Sequence, residues 1–195
     1  MLPMAPRVAC LALIALLLTG CNTVYKPSAV DGTGLYPTTV SVDPGGVIVG
    51  SEQVDLDAYG AVLLAVDSYT YPPRLEFVVR KALNEFGFRN VVNAAEFRRW
   101  AVDREFALKP GPLSDADLRR FSAEVEPVLV VTVRFAAAGG PRQYGWMRVS
   151  DARSGDALLT VDHAKTVWVN FDDEVLYPLL NELRRWKQHV GKRSV

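Results

Sequence analysis

The sequence predicts an α/β fold: a mixed β-sheet with helices packed on it, in the order β-α-β-α-α-β-β-β-α, as a single domain. Three observations carry this. Gly60-Ala-Val-Leu-Leu-Ala-Val66 is a continuous apolar run with polar flanks, the pattern of a strand buried on both faces. Apolar residues recur at helical spacing in four later stretches. A strong apolar strand and a hairpin then precede the last of these helices. The chain has 195 residues, 49% of them hydrophobic and 23% charged, the size and composition of one globular domain. Lys+Arg and Asp+Glu both number 22, so no basic excess points to nucleic acid.

The elements follow in order. Pro72-Pro73 suits the first turn of a helix, and Leu75, Val78, Val79, Ala82, Leu83 and Phe86 form its apolar face. Gly87 is its C-cap, and residues 88–92 are a short second strand. Asn93 and Glu96 have capping-box spacing and open a helix that carries Phe97, Trp100 and Ala101. Lys109-Pro-Gly-Pro112 breaks the chain. Ser114 and Asp117 then cap a helix with Leu118, Phe121 and Val125 on one face, and Pro127 ends it. Residues 128–135 are a strand. Residues 144–151 and 156–169 form a hairpin around Arg153-Ser-Gly155. The last helix has Leu176, Leu179, Leu180, Leu183, Trp186 and Val190 as its stripe, with acids at its start and bases at its end. Pro178 means that it either starts near Tyr177 or kinks there. It is expected to cross one sheet face beside the first helix.

Ahead of the domain stand two segments of other character. Arg7 precedes an unbroken apolar run of 11 residues, 8–18, too short for a spanning helix and right for a signal-peptide core. It ends in Leu18-Thr-Gly-Cys21, which resembles the lipobox of bacterial lipoproteins. The resemblance implies lipid attachment at Cys21, cleavage after Gly20 and acylation of the new terminus. Asn22 in place of Asp then implies the outer membrane, with the domain facing the periplasm. The division expected is 1–20 signal peptide, 21–52 lipidated N-terminus and flexible tether, 53–190 periplasmic α/β domain and 191–195 tail. Pro27, Pro37 and Pro44 among Gly32, Gly34, Gly45 and Gly46 suggest a tether with a span of roughly 30 Å. Residues 38–42 or 47–49 could add an edge strand. The cysteines are Cys10 and Cys21 alone, so the domain itself has no thiol and no disulfide.

Several features together resemble a group of outer-membrane lipoproteins that includes the curli-secretion lipoprotein and the activators of penicillin-binding proteins. They are the strand at 60–66, the helix ending in Asn84-Glu-Phe-Gly-Phe88, the strand 128–135 and the hairpin Val149-Ser-Asp-Ala-Arg-Ser-Gly-Asp156. The resemblance covers about residues 55–190 and implies a binding or assembly module rather than a catalyst. The chain lacks the long alternating hairpins that would build a membrane barrel.

No catalytic constellation stands out, no cofactor motif is present, and an enzyme is not expected. His163 and His189, the two histidines, fall on different elements, and zinc needs clustered ligands. No Gly-x-Ser-x-Gly, His-Glu-x-x-His or Walker motif occurs. His163 beside Asp162 reads as a surface strand residue, and His189 as a partner of the helix dipole. Asp55 and Asp57 read as exposed acids. Arg74, Arg80 and Lys81 read as the solvated face of their helix. Candidate partner-binding residues are Tyr69, Tyr71, Tyr144, Trp146 and Trp168, which form either a surface patch or part of the core.

The function expected is a membrane-anchored periplasmic lipoprotein that binds or assembles a cell-envelope complex through a protein partner. The alternative is a carrier or receptor for a small envelope ligand such as a glycan or lipid. A deep apolar cavity would favour the carrier, and a flat patch the docking module.

Overall fold

A computed structural model describes residues 27–191 apart from 52, 69–71, 138–139 and 168–169. The candidates Cys21, Tyr69, Tyr71 and Trp168 lie outside the described residues, as do the signal segment and the last four residues. Six strands form one mixed sheet: β1 (Val47–Val49), β2 (Ala61–Ser68), β3 (Val91–Val92), β4 (Val128–Ala137), β5 (Arg142–Asp151) and β6 (Ala157–Thr166). Four α-helices pack on it: α1 (Pro72–Glu85), α2 (Ala94–Asp103), α3 (Asp115–Glu124) and α4 (Tyr177–Gly191). The strand order is β1-β6-β5-β4-β2-β3. β2 is parallel to both β3 and β4, and the remaining pairs are antiparallel.

β2 is interior, and its apolar run serves both faces. Val62 and Leu64 enter the larger core, with α1, α4 and the inner residues of β4, β5 and β6. Leu63 enters a smaller core on the other face, with Phe97 and Ala101 of α2 and Leu118 and Phe121 of α3. Local chemistry sets the helix starts. Asn93 and Glu96 form a reciprocal capping box, and Ser114 accepts from the Asp117 amide. Such caps are worth about 1 kcal/mol each. Val125, expected on the apolar face of α3, is instead its exposed C-cap, because the helix ends at Glu124.

α4 lies close against the sheet because β5 has a glycine beneath it. A Cβ on Gly145 would stand 2.5 Å from Leu179 Cδ1 and 2.8 Å from Val175 Cγ1. The turn before α4 is a π-helical one, Asp172–Leu176, so the α-helix proper starts at Tyr177 with Pro178 in its first turn. A proline there offers no N–H to the Glu174 carbonyl one turn earlier, and that carbonyl instead meets His163 Nε2 of β6 at 2.8 Å.

The segment expected as a flexible tether is a packed strap from Pro27 onward. Tyr36 is 2% exposed, stacks on Tyr177 at 4.6 Å and meets the edge of Phe86. Asn181 of α4 holds the strap by both polar atoms. Its Oδ1 accepts from the Tyr36 N–H at 2.7 Å, and its Nδ2 donates to the Tyr36 carbonyl at 3.0 Å. Val42 is also buried, and β1 then joins the sheet edge beside β6. The physical reason is that Tyr36 and Val42 are isolated apolar residues without a period. Tyr36 is buried only where Phe86 after α1 and Tyr177 and Asn181 of α4 come together around it.

Candidate functional site

The two faces of the sheet are unequally covered. α2 and α3 pack on β3, β2 and the first half of β4, and the start of α3 reaches Ala152 just after β5. The outer face of β5, β6 and β1 carries no helix among the described residues. Cross-strand register builds three rows on it. One row is Thr132, Arg148, Thr160 and Ile48; the second is Arg134, Trp146 and Asp162; the third is Ala136, Tyr144 and Ala164. Alternation along each strand sends these side chains outward while Val131, Val133, Met147, Val149 and Val161 go to the core.

Tyr144 and Trp146 are two residues apart on β5 and therefore share this face. Tyr144 is 45% exposed, and Ile48 at the far edge is 60% exposed. The Arg134 guanidinium stands 5.6 Å from the Trp146 ring centroid and donates to Asp67 at 3.0 Å. Arg142 stands 5.6 Å from the Tyr144 ring. Trp146 is half-buried. With Thr132, Arg148 and Arg119 it borders a depression of about 250 Å³ between β5 and the start of α3. This is a broad face of mixed charge with two aromatic residues on β5.

The remaining sequence candidates lie elsewhere. His163 is 7% exposed rather than at the surface, because it points to the α4 side of β6, where its Nε2 meets the Glu174 carbonyl at 2.8 Å. A carbonyl only accepts, so Nε2 carries the proton in this contact. His189 is exposed in the last turn of α4. Asp55 and Asp57 are exposed around a short 3₁₀ turn. Arg74 is not simply solvated: it pairs at 2.6 Å with the buried Asp172. Arg80 bridges Glu76 and Glu96, at 2.9 and 2.7 Å, and Lys81 pairs with Glu85 at 2.8 Å. These acids stand one helical turn away, or on an element that the fold brings across, so reading α1 alone leaves its bases looking solvated.

Among the described residues, no three His, Cys, Asp or Glu side chains converge on a point where a metal ion would sit. No described helix is long and apolar enough to cross a membrane. A second concavity, missed by sequence reasoning, opens at the end of β2 and β4. Its volume is about 430 Å³, and Phe135, Val167 and Phe171 are among its walls. Its described walls come from separate stretches of chain between Ser68 and Phe171, so no local motif announces it. The molecule thus has a flat patch and a half-open, mainly apolar concavity, where a deep apolar cavity was the expected mark of a carrier.

No protein-family description and no curated protein sequence matches the chain. Among solved structures, it is similar to a PelC dodecamer subunit from Paraburkholderia phytofirmans. Identity there is 15%, over 74% of this chain and 94% of that one, with a TM-score of 0.38. It is similar to the LpoB C-terminal domain from Escherichia coli, at 16% identity over 58% of this chain and 88% of that one, TM-score 0.39. A lipoprotein of Neisseria meningitidis is similar at 16% identity, over 70% of this chain and 99% of that one, TM-score 0.37.

Proposed function

We propose that the chain is a periplasmic lipoprotein, anchored in the outer membrane through Cys21, whose domain docks a protein of a cell-envelope complex. The observation that carries the docking reading is the outer face of β5, β6 and β1, which no described helix covers and on which β5 presents Tyr144 and Trp146. Large aromatics ringed by polar groups are where binding energy concentrates. The lipobox supports the anchor, since several acyl chains together hold a protein on a membrane far longer than one does. No step of chemistry is assigned to the face.

The test is in-cell crosslinking of the tagged chain, then purification and mass spectrometry beside an uncrosslinked control. A reproducible envelope protein that is lost on Trp146→Ala, with thermal unfolding unchanged, is the expected outcome. Absence of any such protein, or capture that is indifferent to Trp146, overturns the docking face. Cys21→Ser tests the anchor separately. It is expected to release the protein or to leave an uncleaved precursor, and mature protein that stays with the membrane defeats that part.

A further inference from the structure

β2 and β4 run parallel and end at the same edge of the sheet, where α1 begins. Their chains leave in different directions, β2 into a helix and β4 into a hairpin. Crevices of this kind, outside the carboxyl ends of strands, are where α/β sheets take ligands. The cavity of about 430 Å³ lies here, a size suited to a small molecule or a single chain.

Its wall is mainly apolar: Leu75 of α1, Phe135 and Ala136 of β4, Pro141, Val167 and Phe171. Phe135 and Phe171 meet edge to face at 5.2 Å, so they make a bent wall rather than a flat ring platform. The polar side chains among the described lining are Ser68, Arg74 and Gln143.

We propose that this cavity binds one aliphatic chain, a fatty acid or the acyl chain of a lipid, with its polar end in water. A glycan of the same volume would bring many hydroxyls, each needing a partner on leaving water, whereas the described wall is mainly apolar. An aliphatic chain asks for no partner and gains from every apolar wall it touches. Phe135 faces the core shared with α4, whereas Tyr144 and Trp146 face out on the opposite side. The proposal therefore does not rest on the docking reading, and each can fail alone.

The full chain, reconstituted in phosphatidylcholine vesicles, is irradiated with either of two diazirine probes. One is palmitic acid carrying the diazirine on its chain; the other is phosphatidylcholine carrying it on one acyl chain. Adducts are then mapped by mass spectrometry. They are expected to concentrate around Phe135, Val167 and Phe171, and excess unlabelled palmitate lowers them. Val167→Trp, which narrows the cavity, is expected to cut labelling by roughly tenfold, while Trp146→Ala leaves it intact. Labelling of the wall by the fatty acid alone identifies a free chain as ligand, and labelling by the phospholipid identifies a membrane lipid; both support the site. Adducts spread over exposed apolar residues such as Ile48 and Phe77, or wall labelling that palmitate does not lower, overturn it. The competition decides even where Val167→Trp unfolds.

Discussion

His163 supplies the hydrogen bond that Pro178 withholds from the carbonyl of Glu174. In an α-helix that carbonyl would accept from the N–H four residues on, and residue 178 has none. The imidazole Nε2 of β6 reaches it at 2.8 Å. A strand residue thus completes the irregular start of α4 and fixes its place over the sheet. His163→Phe leaves a partly buried carbonyl short of a donor, and the expected loss of stability is about 1 kcal/mol. In a Pro178→Ala background the restored N–H offsets part of this, so the same substitution costs less there. Urea unfolding of the four proteins checks this: purely additive costs would mean that the two residues do not share the carbonyl.

Gly145 sets how near α4 lies to β5. Gly145→Ala places a Cβ within 2.8 Å of two aliphatic side chains. Overpacking of this kind costs about 1–3 kcal/mol. A melting temperature equal to that of the parent protein would show that α4 can lift without cost.

The strap depends on Asn181. Asn181→Leu keeps the volume but leaves the Tyr36 N–H and carbonyl unpaired where they are buried. The expected cost is about 2 kcal/mol or more. The local readout is limited proteolysis, with new cleavage between residues 28 and 46 well before the sheet is cut. Simultaneous cleavage of strap and sheet would mean that they unfold as one unit.

Glu96 links a cap to an ion pair. Its carboxylate is held below the usual range, first by the Asn93 N–H and then by Arg80, while partial burial opposes them. A depressed carboxylate stabilises the fold fully above the ordinary Glu pKa, and the contribution fades as pH falls through the lowered folded value. Glu96→Gln keeps the acceptor for the Asn93 N–H and removes the charge. Its stability deficit should therefore be present at pH 7 and vanish in strong acid. A deficit that is constant with pH would assign the effect to geometry instead of charge.

The helices were readable because their evidence is local. Asn93 and Glu96, Ser114 and Asp117, and the stripe from Leu176 to Val190 act within one or two turns. β2 was readable because a strand covered on both faces has no polar side to alternate with. The outward placement of Tyr144 and Trp146 was half readable. Their spacing puts them on one face, but coverage depends on how far α2 and α3 extend.

The sequence by itself therefore determined the class of fold, a mixed sheet with helices packed on it. The tertiary structure alone decided the packed strap at Tyr36, the inward turn of His163, the Arg74–Asp172 pair, the open outer face and the cavity beside Phe135. Each of these joins residues from separate elements, in most cases far apart in the chain. Local propensity records what a residue costs in its own turn or strand. Whether it is buried, paired or exposed is set by what the fold lays against it.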